Sequence, residues 1–334
     1  HALAEDRGEG LARLFVCREG EYSIAIPLLF RPIKAVACHA GSGADWWDAT
    51  CVYGYAGPVA SHPDIPTPVL TRLQAAIRES LLKRRVVTVF SRLHPLIPAQ
   101  ASLLAGFGNC TRRGRTVAMD LTLTVEAQRA QYRKDYKRQI NRLERMGGVC
   151  LRDENKAHLD RWINIYDATM GRVHASKAHR FDRGYFESLV ARLGSTIHLF
   201  VCQLNGEIIA AALITSCAGI VEAHFAGTHN DYLELSPSKL LFDRVRLWAN
   251  SLHARYFHLG GGVGAHEDAL YHFKTGFSEL RPEFATWDWV LLPEVNAQLC
   301  QEHDHGGDRF RSGPVDPAFR PAYRCEDCPS EQRI

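Results

Sequence analysis

Short apolar runs alternate along this chain with longer segments in which apolar residues recur every three or four positions. The short runs predict strands, at residues 22–29, 49–55, 86–90, 116–121, 198–204, 208–216, 221–226, 256–259 and 286–292. The longer segments predict helices, at residues 69–83, 125–145, 157–170, 183–193, 238–253 and 268–277. Because strands and helices of these lengths are interleaved, the sequence predicts a mixed α/β or α+β architecture.

Two turn signals divide this pattern. The polar helix predicted up to Arg145 is followed by Gly147 and Gly148, which favour a helix stop, and a new strand–helix series begins near Val149. In that second series, residues 205 and 206 are Asn-Gly, which favours a tight hairpin turn. We therefore expect a domain change near residue 148.

The composition is that of a globular protein. A length of 334 residues with 46% hydrophobic and 23% charged residues allows two ordinary domains or one large one, and argues against general disorder. The net charge of +3 is too small to indicate a nucleic-acid-binding protein by itself, so any basic surface must be local.

The ten cysteines are mostly scattered singly, which favours a reducing cytosol over a secreted disulfide framework. Arg13 interrupts the one apolar stretch near the start, which argues against a signal peptide, and no run approaches the roughly 18 apolar residues that a membrane span needs. We expect a soluble, cytoplasmic protein without a membrane span.

Seven motifs occur in unbroken order between about residues 22 and 292. They are YGYAGP at 53–58, FSRLHP at 90–95, YRKDYKRQI at 132–140, YDATMGR at 166–172, EAHFAGT at 222–228, HLGGG at 258–262 and DALYHFKTGF at 268–277. Each motif alone is weak, but the ordered set resembles the FemABX family of the GNAT superfamily.

This resemblance implies tandem GNAT-like α/β domains, with the segment after residue 292 returning to the first domain. The first domain would then comprise residues 1–148 and 293–334, and the second residues 149–292. Such enzymes move an amino acid from aminoacyl-tRNA to an amine, commonly of a peptidoglycan precursor; some extend peptide or peptidyl-nucleoside antibiotics such as pacidamycin. No segment is long enough for the coiled-coil arm of some members, and we expect a monomer that needs no cofactor for catalysis.

Aminoacyl transfer requires little beyond placement and charge stabilisation. The ester is already activated, and an α-amino group with a pKa of about 7.7–8.0 is partly neutral near pH 7. The remaining need is a donor for the oxyanion of the tetrahedral intermediate. The family's Phe-Lys pair falls on Phe273 and Lys274, which makes Lys274 the first candidate. Alternatively, Phe273 and Phe277 form an apolar stripe and Lys274 is solvated.

The glycines that precede this pair offer a second candidate site. Gly260, Gly261 and Gly262 lie between a predicted strand and a predicted helix, where backbone N–H groups can approach a phosphate or ribose. A close-packed structural turn explains the same glycines equally well.

For proton transfer the candidates are His94, His224 and Glu222. Glu222 and His224 are two residues apart on a predicted strand and so should share a face. A histidine with a pKa near its usual value of about 6.5 suits proton transfer at neutral pH. Core histidines, or a substrate amine that loses its proton without a protein base, remain equally open.

The predicted helix at 126–145 is rich in positive charge. Its cations are Arg129, Arg133, Lys134, Lys137, Arg138, Arg142 and Arg145, against Glu126, Asp135 and Glu144. We expect Arg133, Lys134, Lys137 and Arg138 to contact tRNA phosphates, and the arginines at 112, 113 and 115 to extend this surface. A solvated charged helix without a ligand is the alternative.

Further residues occupy family motif positions that imply the substrate cleft. They are Tyr53, Tyr55, Arg92, Tyr166, Thr169, Arg172 and Tyr185. Arginine suits a bidentate contact with a carboxylate or phosphate of the acceptor, whereas a tyrosine can equally be a core residue with a solvated hydroxyl.

The tail contains two pairs of metal-binding residue types. His303 and His305 are followed, after 19 residues, by the pair Cys325 and Cys328. Four such ligands match a closed tetrahedral zinc site of structural type, which would hold a short Gly- and Pro-rich segment. A fraying tail would look similar.

Two other functions fit the same sequence. One is a GNAT-like N-acyltransferase that uses an acyl-thioester of coenzyme A or a carrier protein. The other is a non-catalytic RNA-binding protein.

Overall fold

The computed structural model describes residues 1–33, 45–175, 180–306, 321, 323 and 324. The chain forms two compact units. Unit 1 comprises His1–Arg113 and Glu283–Ile334, and unit 2 comprises Gly114–Pro282.

The elements follow one another in this order. Unit 1 begins with α1 (Ala2–Asp6), β1 (Leu11–Glu19), β2 (Tyr22–Pro32), β3 (Trp47–Thr50), β4 (Val59–Ala60), α2 (Thr67–Lys83), β5 (Val86–Arg92), α3 (Ala99–Leu103) and β6 (Asn109–Arg115), whose last two residues are assigned to unit 2. Unit 2 contains β7 (Val117–Asp120), α4 (Val125–Ala130), α5 (Lys134–Arg145), β8 (Val149–Asp153), α6 (Leu159–Arg172), α7 (Arg183–Leu193), β9 (Ile197–Leu204), β10 (Glu207–Cys217), β11 (Ile220–Thr228), α8 (Pro237–Ser251), β12 (Tyr256–Gly260) and α9 (Ala269–Lys274). The chain then returns to unit 1 with β13 (Glu283–Val290) and α10 (Pro293–Gly306).

Unit 1 is built on a mixed sheet with the strand order β1-β2-β3-β5-β13-β6, and β4 pairs with β2. Alternate residues of β2 face α2, where Ile26 and Leu28 share a core with Leu73, Ile77 and Leu81. Since these α2 residues are spaced by four, they form one apolar stripe along the helix.

Two described residues near the carboxyl terminus, Tyr323 and Arg324, pack on this same unit. Tyr323 is buried beside Leu299 of α10, and its hydroxyl lies 2.7 Å from Thr88 Oγ1. Arg324 Nε donates to Asp48 Oδ2 at 2.5 Å, and the carboxylate of Asp48 is buried. The Arg324–Asp48 ion pair neutralises the buried carboxylate and holds Arg324 against the sheet.

Unit 2 is a three-layer sandwich around a sheet with the order β7-β12-β11-β10-β9-β8. Helices α5 and α8 cover one face, and α6 and α7 cover the other. The central strand β10 is apolar at nearly every position because both of its faces are buried, for example Ala212 on one side and Leu213 on the other.

The prediction of mixed α/β layers without a coiled-coil arm is confirmed for the described residues. The observed division differs from the predicted one. It falls at 113/114 and 282/283 instead of 148/149 and 292/293. The physical reason is that β7 pairs with β12, and that Ile140 and Leu143 of α5 belong to the core beneath α8.

The predicted helix at 125–145 is two helices. Arg133 has an extended conformation, and its backbone N–H donates to Gly276 O at 2.9 Å. Next to it, Gln131 Oε1 accepts from Ser278 Oγ and from the backbone N–H of Glu279. These tertiary contacts break the helix between α4 and α5 and tie the start of α5 to the segment that follows α9.

Within the part of the chain that the structure describes, no helix has the length and apolar character needed to cross a membrane.

Candidate active site

In unit 2, Lys274 and the predicted glycines meet at the turn between β12 and α9. The strand ends at Gly260, which has φ +78, and Lys274 is the last residue of the short helix that follows. The ammonium Nζ of Lys274 donates to Gly261 O at 2.6 Å. The turn and the end of the helix therefore hold the cation in place.

Close packing explains the glycines of this turn. A Cβ on Gly262 would lie 2.1 Å from His266 O and 2.4 Å from Asp268 Oδ1, and one on Gly260 would lie 3.3 Å from Lys274 Nζ. Only a residue without a side chain therefore fits at position 262.

Asp268 connects this turn to α9, and sequence analysis did not identify its role. Its Oδ1 accepts from the backbone N–H of Tyr271 at 2.9 Å, as an N-cap, and its Oδ2 accepts from Val263 N at 3.0 Å. Burial alone would raise the pKa of Asp268, but these hydrogen bonds and the charge of Lys274 lower it below its usual value. Asp268 thus occupies the N–H groups of Val263 and Tyr271, and contact of the three glycines with a phosphate or ribose stays a prediction.

The environment of Lys274 changes its acidity. Burial lowers the pKa of Lys274 to about 8, although the carboxylates of Asp268 and Glu222 act in the opposite direction. The lysine therefore stays charged at pH 7 while it is partly desolvated. Such a group can donate a strong hydrogen bond to a developing negative charge.

Glu222 and His258 form a pair on neighbouring strands. His258 is fully buried, and its Nδ1 lies 3.3 Å from Glu222 Oε1. This is also the last position at which β11 and β12 pair in parallel, although β11 continues to Thr228. The carboxylate thus lies where the two strands cease to be hydrogen-bonded.

The expected alignment of Glu222 with His224 is altered by a β-bulge. On β11, Phe225 pairs with Leu213 and Ala223 pairs with Ile214, so His224 is an extra residue. Beyond the bulge, successive side chains of β11 point to the opposite faces from those that regular alternation would give. Glu222 and His224 therefore need not share a face, although they are two residues apart. Burial lowers the pKa of His224 below its usual value, although Glu222 acts in the opposite direction.

Phe273 packs into the core beside the cation instead of facing solvent. Its ring lies 6.0 Å from that of Tyr136 and 5.5 Å from that of Phe277, and its backbone carbonyl accepts from the Tyr136 hydroxyl at 2.8 Å. These contacts fix α9 on α5. The i, i+4 apolar stripe exists as predicted, while Lys274 points to the glycine turn and not to bulk solvent.

The motif residues of α6 and α7 lie on the other face of this sheet. Tyr166 is buried and stacks on Trp162, with ring centroids 5.4 Å apart. Tyr185 stacks on Phe181 at 4.1 Å. Both rings therefore contribute to an aromatic cluster, and their role in substrate binding stays a prediction.

Thr169 and Arg172 connect α6 to the end of β11. Thr169 Oγ1 donates to Ile165 O at 2.8 Å and accepts from Thr228 N at 3.3 Å, and Arg172 donates to Thr228 O and to Asn230 Oδ1. These bonds give both residues a structural role in holding the strand.

Replacing Thr169 with Val keeps the shape but removes both hydrogen bonds. We expect the free energy of unfolding to fall by about 1–3 kcal/mol, because the part-buried amide of Thr228 loses its acceptor. Urea unfolding measures this, and KM for the acceptor should stay unchanged. A raised KM at unchanged stability would instead make Thr169 a ligand contact.

In unit 1, the predicted residues lie on two adjoining loops. Tyr55 places its ring 5.9 Å from that of His94 and 5.3 Å from that of Phe284, whereas Tyr53 is exposed. The guanidinium of Arg92 lies 5.8 Å from the ring of Phe90.

Buried Gln100, which sequence analysis missed, holds the two loops together. It accepts from His94 N at 2.6 Å and donates to Ala56 O at 2.9 Å. His94 Nδ1 accepts from Leu96 N at 3.1 Å, so the proton of a neutral His94 ring is on Nε2. In that form His94 can donate a proton but has no open acceptor nitrogen.

The cations of the predicted basic helix divide into two groups. Arg129 pairs with buried Asp243 at 3.2 Å, and Lys137 donates to Ala130 O at 2.8 Å. By contrast, three exposed cations have no ion pair or side-chain hydrogen bond within the described ranges, namely Lys134, Arg138 and Arg142. They are four residues apart and form a line along α5.

The proposed zinc ligands fall largely outside what the structure describes. His303 and His305 lie in α10, but their side chains are outside the described part, as are Cys325 and Cys328. The zinc site therefore stays a prediction.

Comparison with known proteins agrees with this geometry. Residues 130–275 match the family model described as an acetyltransferase (GNAT) domain. They include α5, the bulged β11, the glycine turn and Lys274. This segment of the chain is thus similar to a GNAT domain. Among curated proteins, none matches the chain in a sequence search.

Solved structures extend the likeness to nearly the whole chain. FemX superimposes with a TM-score of 0.68 at 12% identity, over 89% of this chain and 92% of FemX. The C-terminal domain of an Agrobacterium fabrum protein assigned as a lysylphosphatidylglycerol synthetase gives 0.55 at 14% identity, over 90% and 92%. L-PGS from Bacillus licheniformis gives 0.54 at 16%, over 86% and 90%. The recognition of a FemABX-type fold of the GNAT superfamily is confirmed; at these identities, the likeness establishes the fold.

Proposed function

We propose that this chain is an acyltransferase that moves an amino acid from aminoacyl-tRNA to the amine of a peptide or peptide-like acceptor. The observation that carries the proposal is Lys274, a partly desolvated ammonium held 2.6 Å from Gly261 O at the end of α9. A fixed cation of this kind suits a reaction whose transition state develops one negative oxygen.

The reaction follows from the chemistry of the ester. The neutral amine of the acceptor attacks the ester carbonyl, the new C–N bond forms, and the carbonyl oxygen becomes an oxyanion. Lys274 donates a hydrogen bond to that oxygen. The intermediate then collapses, the C–O bond to the ribose breaks, and the ribose hydroxyl leaves with a proton that the amine has lost.

Two side chains of the site, His224 and Glu222, are candidates to accept this proton. Burial lowers the pKa of His224, which favours its neutral form, and Glu222 lies where β11 and β12 cease to pair. Either can relay a proton at neutral pH. Transfer from the amine directly to the leaving hydroxyl, or through water, needs neither residue.

Two observations favour an aminoacyl-tRNA donor. The line of Lys134, Arg138 and Arg142 suits the phosphates of an RNA backbone, which bind cations in a salt-dependent way. In addition, one structural relative carries a name that denotes synthesis of an aminoacylated lipid, lysylphosphatidylglycerol. The acceptor class, whether a peptidoglycan precursor, a peptidyl-nucleoside or another peptide amine, rests on the family resemblance alone.

The second candidate is an N-acyltransferase that uses an acyl-thioester. The match of residues 130–275 to an acetyltransferase model favours it. The end of β11–β12 pairing at Glu222 also favours it, because backbone groups beyond that point do not bond across the two strands and can bind a donor. Lys274 would serve the same oxyanion in that reaction.

The donor is tested by incubating the protein with total charged tRNA, or with a panel of acyl-thioesters, and a panel of peptide amines, with products detected by mass. We expect a product that gains one aminoacyl group from charged tRNA and that disappears after ribonuclease treatment. Product from a purified thioester, unaffected by ribonuclease, would replace the first candidate with the second. As an independent check, a triple variant with Gln at positions 134, 138 and 142 should lose transfer mainly through a higher KM for tRNA.

A further inference from the structure

A second group of cations lies directly beside Lys274, on the adjacent residue Thr275. Arg133 Nη2 donates to Thr275 Oγ1 at 2.7 Å, and Arg281 Nη2 donates to Thr275 O at 3.2 Å. The backbone N–H of Arg133 also donates to Gly276 O at 2.9 Å. Two arginines from distant parts of unit 2 thus converge on one residue.

These two guanidinium groups have no carboxylate partner within the described part of the chain, whereas Arg115 nearby pairs with Glu267 at 2.7 Å. Burial lowers the pKa of Arg281; Tyr271 acts in the opposite direction, the charges of Arg115 and Arg133 lower the pKa further, and Glu279 raises it. Cations that repel one another without an acid between them form a site that an anion stabilises.

We propose that Arg133 and Arg281, both anchored on Thr275, bind a phosphodiester group at the 3′ end of the acyl donor. Each guanidinium has five N–H donors in a planar fork and uses only part of them on Thr275 and its neighbours, so donors remain for phosphate oxygens. The inference rests on the proposed tRNA-dependent function and adds the contact that sets the ester next to Lys274.

The position of Arg133 supports an RNA over an isolated phosphate. It stands at the start of α5, and the exposed cations Lys134, Arg138 and Arg142 continue from it along the helix. From residue 133 to residue 142 the helix rises about 14 Å, a length that suits a polymer with several phosphates. The arginine pair therefore lies at the end of a basic track that begins on α5.

The test uses the dinucleotide CpA, which ends every tRNA and carries one phosphodiester, and its neutral methylphosphonate analogue. Binding of both to the full chain is measured by calorimetry, for the wild type, Arg133→Gln, Arg281→Gln and Arg145→Gln. Arg145 is the matched control, because it is an exposed arginine of the same helix that donates to a backbone carbonyl, Asn141 O, at 3.2 Å.

We expect the wild type and Arg145→Gln to bind CpA about tenfold or more tightly than the neutral analogue. That difference should vanish in Arg133→Gln and in Arg281→Gln, whose circular dichroism should match the wild type. Equal affinities for CpA and its analogue, or a difference that survives both substitutions, would overturn the inference. Binding of inorganic phosphate that depends on Arg281, without binding of CpA, would assign the site to a phosphorylated acceptor and also overturn it.

The proposed function is judged separately. Ribonuclease-sensitive transfer by the wild type sustains that function even if both arginines prove irrelevant to CpA binding. Conversely, thioester-dependent transfer removes the function whatever the dinucleotide result.

Discussion

Replacing Lys274 with Ala should lower kcat/KM for transfer by about 100- to 1000-fold, the usual cost of removing one oxyanion donor. The structure gives the reason, because the ammonium is held at the glycine turn by Gly261 O and is only partly solvated. The fold should persist, since the substitution removes a partly buried charge and one hydrogen bond; urea unfolding should differ by about 1 kcal/mol or less. Turnover at the wild-type rate would remove Lys274 from the mechanism and assign the oxyanion to a different donor.

The pH dependence of the same step provides a sharper control. Because the pKa of Lys274 is lowered to about 8, its positive charge is lost as the pH rises through that value, and kcat/KM should fall above about pH 8. A Lys274→Arg variant keeps its charge in that range, so whatever activity it retains should not fall there. A wild-type profile that keeps rising to pH 10 would contradict the role of the ammonium.

Replacing Gly262 with Ala should have the second-largest effect. The added Cβ would lie 2.1 Å from His266 O and 2.4 Å from Asp268 Oδ1, so the turn must move and Asp268 must give up its present geometry. Since Asp268 caps α9 and the far end of that helix carries Lys274, we expect a loss of about tenfold or more in kcat together with about 1–3 kcal/mol of stability.

The matched control for this substitution is Gly171→Ala. Gly171 lies within α6, and a Cβ there would have no atom within 4 Å. We expect it to raise stability slightly, by up to about 1 kcal/mol, and to leave kcat unchanged. Activity of Gly262→Ala equal to that of this control would show that the turn does not position the lysine.

Local sequence patterns predicted most of the elements and the position of the lysine. The turn at Asn205 and Gly206 joins β9 to β10 with positive φ at both residues, as Asn-Gly predicts. The family motif predicted that Lys274 follows a glycine turn, and the structure brings the two together. In each case the relevant contacts are close in sequence.

Features set by distant contacts could not be predicted in this way. The β-bulge at His224 depends on its pairing with β10, and the break before α5 depends on contacts of Gln131 and Arg133 with residues 276–279. The edge strand β1 was missed because Arg13 interrupts its apolar run and the run does not alternate, although only Phe15 of its nine residues is buried. Gly147 and Gly148 correctly predicted a helix end, but the domain boundary is set by distant contacts, namely the pairing of β7 with β12 and the packing of α5 in the core of unit 2.

The entry and exit of unit 2 lie side by side, since Thr116 N donates to Pro282 O at 2.8 Å. A ribosome therefore completes this whole inserted segment before it makes β13, the strand that lies between β5 and β6. At about 5–20 residues per second, the amino-terminal strands wait on the order of ten seconds or more for that neighbour. Released chains that end at residue 282 should thus resist protease over 114–282 while their first hundred residues are still cleaved.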